Sequence, residues 1–209
     1  MDIHAPHQPI HTWRDFFTHI VIITIGLFIA LMLEAGVEWL HHKHIVREAR
    51  ENIRLELEDN HHAAQKDLVL IEDNIQLQKD NIAAIHGLMT DGEKFKGSVT
   101  NTFAFDSPET SAWQSARDTG ALGYMPYQEV QRYSDIYSVG EFVQRTAIET
   151  AEHDFLAEAP FKMGYDVGKL PPDSYAQLLH DNAAIEIQLE TLKQIVQQFD
   201  NACVAELKK

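Results

Sequence analysis

The most apolar part of the chain lies near its amino terminus. From Phe16 to Leu33 the sequence contains no Asp, Glu, Lys or Arg. A helix needs about 20 mostly apolar residues to cross a bilayer, and tryptophan prefers the two lipid interfaces. Trp13 and Trp39 flank the run, and their separation corresponds to about 39 Å of helix, close to the thickness of a bilayer with its headgroups. The pattern therefore predicts a transmembrane helix over residues 16–40, after a tail of residues 1–15.

A cleaved signal peptide and a buried helix of a soluble protein are the two alternatives for this segment. A signal peptide has a basic start and a small-residue cleavage site. Here Asp2 precedes the first basic residue, Arg14, and no Ala-x-Ala pattern follows the apolar run. The length of the run and its flanking tryptophans favour a membrane anchor over a buried helix.

A long helical pattern follows the apolar segment. No Pro or Gly occurs between Val37 and His86, and apolar residues recur at intervals of three, four and seven positions. This heptad-like spacing is typical of a helix that buries one face. We expect the helix to end at about Met89, followed by Gly92. Its predicted stripe is Ala64, Leu68, Ile71, Ile75, Ile82, Ile85 and Met89, with Gln78 in the skipped position.

The middle of the chain predicts a loop and two shorter helices. Residues 90–107 are rich in Gly, Ser, Thr and Asn, and we expect Phe103 and Phe105 to pin this loop to the bundle rather than to form a strand. Ser107-Pro108-Glu109 resembles a helix start, and Gly120 is a natural C-cap. A further helix is expected from Pro126 to near Pro160.

The last helix has the most regular stripe in the chain. It starts at Pro171-Pro172-Asp173-Ser174 and then repeats strictly at intervals of four and three. Its stripe is Leu178, Asn182, Ile185, Leu189, Leu192, Val196, Phe199 and Cys203. The simplest structure packs this helix antiparallel to the long one, with Gln78 and Asn182 fixing the register. A self-associating coiled coil is the competing interpretation.

These patterns predict an all-α fold with an N-terminal transmembrane helix that continues into a long helix and an antiparallel helical bundle. The bundle domain is expected over residues 41–209. Its predicted core comprises Leu68, Ile71, Ile75, Ile82, Ile85, Leu178, Ile185, Leu189, Leu192, Val196 and Phe199.

The amount and distribution of charge indicate which partners the chain can bind and how it is oriented. The formal net charge is −15, which argues against nucleic-acid binding because a phosphate backbone attracts a basic surface. Lysine and arginine are concentrated after the span, at Lys43, Arg47, Arg50 and Arg54, so the C-terminal domain is expected in the cytoplasm. The single cysteine, Cys203, excludes an internal disulfide and falls at a core position.

The transmembrane segment carries the candidate residues for helix packing. Gly26 and Ala30 form a small-xxx-small pair, which lets two helices approach closely. Glu34 lies about 12 Å from the middle of the span, just inside the hydrocarbon. We expect these three residues to be candidates for contact with a partner helix, whereas an edge carboxylate that reaches the headgroups is the alternative for Glu34.

Catalytic and metal-binding patterns are weak. His41, His42 and His44 could bind a metal or respond to pH, but adjacent helical histidines point about 100° apart and an interfacial polar collar needs no ligand. The Glu/His pairs Glu38–His41, Glu58–His61 and Glu149–His153 are interpreted as solvated or interfacial helix faces. No nucleophile elbow, Walker loop or dinucleotide motif occurs, so we expect no enzyme, cofactor or metal.

Aromatic residues are concentrated in the middle of the chain. Trp113, Tyr124, Tyr127, Tyr133 and Tyr137 are expected to pack the shorter helices against the long ones. An aromatic-lined pocket for a small ligand is the alternative.

Several of these motifs resemble a family of bacterial single-pass inner-membrane proteins of unknown function. The similar residues are the run Ile25–Leu31, Glu34 with Glu38-Trp39, and later Trp113–Ala116, Gly120-Ala121-Leu122 and Tyr133. The resemblance implies an inner-membrane protein with a helical extramembrane domain and implies no activity. We therefore expect a non-enzymatic membrane-anchored interaction or accessory subunit that contacts the lipid bilayer and a protein partner or a second copy. A sensor-like bundle that binds a small ligand or metal is the alternative.

Overall fold

The computed structural model describes residues 12–91, 98–100, 102–157, 159–163 and 169–209. The chain divides into two units, Met1–Arg47 and Glu48–Lys209. The described residues are overwhelmingly helical and contain no strand, so the prediction of an all-α fold is confirmed. The histidines of the amino-terminal tail, His4, His7 and His11, lie outside the described residues.

The first helix, α1, spans Trp13–Asp91 and contributes to both units. It ends two residues beyond the position predicted from the sequence. It is the one helix among the described residues that is long and apolar enough to cross a membrane. Every described residue from 12 to 41 is exposed, including the apolar ones, so this part of α1 is not part of the core formed by the described residues.

The remaining helices belong to the second unit. They are α2 at Ser111–Asp118, α3 at Tyr127–Ala157, α4 at Ala159–Lys162 and α5 at Pro172–Leu207. A short 3₁₀ helix at Ala121–Tyr124 follows α2. Between them Gly120 adopts φ +75°, the left-handed conformation that favours glycine after a helix, as predicted for this C-cap.

Contacts between helices define the bundle of the second unit. Along α1 and α3, Arg50 pairs with Glu129 and Glu56 with Tyr137, so these helices run parallel. Residues of α5 pair in the opposite order: His61 of α1 contacts Asp200, whereas Asn81 contacts Asn182. The predicted antiparallel packing of α5 on the long helix is therefore observed.

The core lies between α1, α3 and α5. On α5 every residue of the predicted stripe is buried, from Leu178 and Asn182 through Ile185, Leu189, Leu192, Val196 and Phe199 to Cys203. Gly140 of α3 lies against the Phe199 ring, and a Cβ there would be 3.0 Å from ring carbon Cε2. Carbon atoms pack at about 3.5–4.0 Å, so a larger residue here would require the Phe199 ring to shift by a few tenths of an ångström. Gly140 thus marks a close contact between α3 and α5.

The core face of α1 differs from the predicted one. Ile71, Ile75 and Ile85 are buried, but Leu68 and Ile82 are only partly buried and Met89 is exposed. A second row is buried beside Ala64, Ile71, Gln78 and Ile85. It is polar and consists of Asn60, Asp67, Asn74 and Asn81. We call these four residues the polar row; they recur at intervals of seven. Apolar periodicity does not indicate these four residues, because polar residues are ordinarily assigned to the solvent face.

Candidate functional site

The transmembrane packing candidates lie on the exposed part of α1. Gly26, Ala30 and Glu34 are all exposed, and their spacing of four places them along one side of the helix. A Cβ added at Gly26 would meet no atom within 4 Å. The surface at this glycine is therefore open to a neighbouring helix or to lipid.

The histidines after this segment engage neighbours on the same helix. His42 Nε2 lies 3.9 Å from Glu38 Oε1, and Arg47 reaches His44 Nδ1 at 3.2 Å. The His41 and His42 rings lie 6.1 Å apart and are tilted. Among the described residues no group of three His, Cys, Asp or Glu side chains is arranged to hold a metal ion.

The other two Glu/His pairs differ in their surroundings. His61 Nδ1 lies 2.5 Å from Oδ1 of the buried Asp200, rather than pairing with Glu58. Glu58 instead accepts from Arg54. His61 is therefore only partly solvated, because its ring lies at the junction with α5. Glu149 and His153 are both exposed, as expected.

A buried carboxylate joins α1 to two other helices. Glu56 is 4% exposed and accepts hydrogen bonds from the Ser111 hydroxyl at 2.9 Å and from the Ala112 and Trp113 N–H groups at 2.7 and 3.3 Å. The Tyr137 hydroxyl donates to it at 2.6 Å. The first N–H groups of a helix lack partners within the helix and attract negative charge. Glu56 therefore caps α2 from another helix.

Tyr137, which donates to this carboxylate, packs against other aromatic residues of the middle region. The Trp113 ring stacks on Tyr137 at 5.2 Å between centroids and meets Tyr133 edge-on at 6.4 Å. Burial raises the pKa of the Tyr137 hydroxyl, and its hydrogen bond to Glu56 raises it further, so Tyr137 remains a donor. These three rings pack together as the core interpretation predicts, whereas Tyr124 and Tyr127 are exposed.

An open cleft of about 350 Å³ lies beside Glu56. Its lining is mainly polar and acidic and comprises Asn52, Leu55, Glu56, Asp59, Glu109, Ser111, Ala112 and Ser115. The Glu56 oxygens already accept four donors, which is about the capacity of a carboxylate. The role of Glu56 is thus structural, because its hydrogen bonds fix the residue at which α2 begins.

The polar row holds an extended segment against α1. Asn60 donates to the Glu109 carbonyl at 2.9 Å and accepts from the Glu109 N–H at 2.7 Å. Asn81 forms the same pair of bonds with Thr100, at 2.8 and 3.1 Å, and Asp67 accepts from the Asp106 N–H at 3.1 Å. We call residues 98–100 and 102–110 the strap. Each asparagine amide here replaces the peptide partner that a neighbouring strand would supply.

The length of the strap matches the spacing of its anchors. From Asn60 to Asn81 α1 rises about 31 Å, at 1.5 Å per residue. From Thr100 to Glu109 a fully extended chain spans about 30–32 Å. The strap therefore has to be nearly straight, which explains why Phe103 and Phe105 both face inward, half-buried and stacked at 6.2 Å. The expectation that these aromatics pin a loop, rather than form a strand, is confirmed for the described residues.

The strap also corrects the predicted start of α2. Ser107-Pro108-Glu109 has the composition of a helix start, but the helix begins at Ser111. Both backbone groups of Glu109 are bound by Asn60, so this residue stays extended. The tertiary partners on α1 thus override the local signal.

Asp67 is the one acid of the polar row. It is 2% exposed, and burial raises its pKa to about 6, against the opposing effect of the Asp106 N–H. Lys66 pairs with Asp106 at 2.6 Å and draws the same part of the strap toward α1. Burial of the Asp67 carboxyl therefore disfavours its ionised form more than the Asp106 N–H favours it.

No protein-family model, curated protein or solved structure matches the chain. The resemblance based on the Ile25–Leu31 run and the Trp113 region therefore stays a prediction. Function has to follow from the residues and contacts described above.

Replacing Asp67 with Asn should stabilise the protein at neutral pH. The folded pKa of about 6 lies above the unfolded value of 3.8, so this carboxyl contributes most stability below pH 4 and loses it as pH rises through 6. Asparagine keeps an oxygen for the Asp106 N–H and does not titrate. We expect D67N to gain about 1–3 kcal/mol at pH 7.5 and nothing at pH 4.

Urea unfolding of the detergent-solubilised full chain at several pH values measures this difference. Asp73→Asn, at an exposed acid of the same helix, is the control and should change stability by less than about 0.5 kcal/mol. A D67N variant less stable than the wild type at pH 7.5 would contradict the assignment.

Proposed function

We propose that the chain is a single-pass protein of the bacterial inner membrane, with a cytoplasmic helical bundle that serves as an interaction or accessory subunit. The observation that carries the proposal is the exposed apolar length of α1. Every described residue from 12 to 41 is exposed, and this length includes an 18-residue stretch of membrane-spanning hydropathy. The free energy of burying apolar surface makes such a helix unfavourable in water and favourable in a bilayer.

The second unit supports a non-catalytic role. The buried acids that anchor α2 and the strap, Glu56 and Asp67, accept hydrogen bonds from backbone N–H groups. Carboxylates used in this way hold chain segments in position, which favours a structural role for both residues. The alternative, a sensor-like bundle, would use the open cleft beside Glu56 for a small ligand.

The residues of the membrane segment favour contact with a protein partner as well as with lipid. Gly26 and Ala30 leave a shallow surface on one side of α1, and Glu34 extends that side by one turn. A carboxylate at this depth is costly in hydrocarbon unless a partner group pairs with it. The proposed partner is therefore a second transmembrane helix, from another copy or from a different protein.

A reporter pair tests the anchor and its orientation. Fused after Lys209, green fluorescent protein should fluoresce and alkaline phosphatase should stay inactive, because the C-terminal side is assigned to the cytoplasm. The chain should also remain with the membrane after extraction at alkaline pH. Release by alkali would contradict the anchor, and active phosphatase would contradict the orientation.

Cross-linking in native membranes tests the packing surface. In a Cys203→Ala background, G26C and A30C should form cross-linked products under mild oxidation. F28C is the matched control, because two residues along a helix turn by about 200° to the opposite side. Equal cross-linking at all three positions would contradict this surface, and absence of cross-linking at all three would contradict a second copy as the partner, because two copies each supply the introduced thiol.

The mass of the product then identifies the partner. A species of twice the chain's 23.8 kDa indicates a second copy, and any other mass indicates a different membrane protein. Either result supports a partner helix at Gly26 and Ala30.

A further inference from the structure

The structure separates the four basic residues after the span into two groups. Arg50 donates to both oxygens of Glu129 at 2.7 Å. Arg54 pairs with Glu51 and with Glu58. Their charges are thus compensated by carboxylates of the second unit.

Lys43 and Arg47 have different neighbours. Both are exposed. Lys43 Nζ lies 5.1 Å from the centre of the Trp39 ring, and the Arg47 guanidinium lies 3.2 Å from His44 Nδ1. Neither an aromatic face nor an imidazole supplies a negative charge to these cations. These two residues therefore carry the basic character of this part of α1.

Both side chains extend toward the amino-terminal end of α1. Helical side chains tilt in that direction, and each of these cations contacts a residue three or four positions before it. If α1 spans a bilayer, that direction is toward the lipid. The ammonium of Lys43 then lies at the level of Trp39, the residue expected at the interface.

The expected depth of Trp39 in the bilayer corresponds to the lipid headgroup region. With Gly26 at the middle of the span, Trp39 lies about 20 Å from the bilayer centre. Half the thickness of a bilayer with its headgroups is about 20–22 Å. The Lys43 ammonium is thus within reach of lipid phosphates, and Arg47, about 6 Å further along the helix, is within the Debye length of about 8–10 Å.

We propose that Trp39, Lys43 and Arg47 form a binding site for the phosphate of anionic phospholipids. The proposal rests on the anchoring of α1 in the membrane. Lys43 contacts the phosphate, Trp39 supplies an aromatic surface beneath the ammonium, and Arg47 adds longer-range attraction. A zwitterionic lipid carries its own cation and gains less, so the site selects for net negative charge.

Lipid selectivity of the full chain tests the site. The purified protein is reconstituted into phosphatidylcholine vesicles with a trace of spin-labelled phosphatidylglycerol or phosphatidylcholine. Electron spin resonance measures the fraction of each label immobilised at the protein. We expect the wild type to prefer phosphatidylglycerol, by up to about fivefold for each cation near the surface, and to lose part of that preference at high salt.

Three substitutions make the test specific. K43Q should remove most of the preference, and R47Q should remove a smaller part. K66Q is the matched control: it makes the same chemical change at a lysine whose ammonium is bound by Asp106, and should leave the preference intact. This ordering is expected because only Lys43 reaches the phosphate directly.

The outcomes separate this inference from the proposed anchor. Stable incorporation without phosphatidylglycerol preference, or an equal loss in K43Q and K66Q, would overturn the lipid site and leave the anchor intact. Failure of the chain to enter neutral vesicles would overturn the anchor itself.

Discussion

The second unit depends on one constraint: an extended segment without a neighbouring strand has to find hydrogen-bond partners for its peptide groups. Buried peptide groups left unpaired cost about as much as a lost hydrogen bond. The polar row of α1 answers this need, since Asn60, Asp67 and Asn81 bind the backbone of the strap at intervals that match its extended length. Position and direction of the strap follow directly from these three contacts.

The other elements depend on that attachment. Because the strap runs back along α1, it delivers Ser111 to the carboxylate of Glu56, where α2 begins. At the other end Asn81 also donates to Oδ1 of the fully buried Asn182 at 3.1 Å, which links the strap to the register of α5. Buried polar contacts of this kind favour one alignment over others, because a shift by one turn would leave each amide unpaired.

The predictable parts of the structure are those that depend on local pattern. The α5 stripe, the C-cap at Gly120 and the long α1 follow from periodicity and from backbone chemistry. The polar row does not, because nothing near Asn60 or Asp67 in the sequence indicates that a segment 49 and 39 residues later, respectively, will cover them. The sequence feature that indicates the polar row is the seven-residue interval between its members. Of the candidate site, Trp113 and Tyr137 were found as packing residues, whereas Glu56 was missed because its donors are remote in sequence.

Amide hydrogen exchange of the wild-type chain in micelles tests the attachment of the strap most directly. The N–H groups of Thr100, Asp106 and Glu109 are predicted to be strongly protected, although they belong to no helix or strand, because each donates to a buried side chain of α1. Protection should be lowest at residues such as Thr102, which is exposed. Exchange of all three amides at the rate of an unstructured peptide would contradict the account.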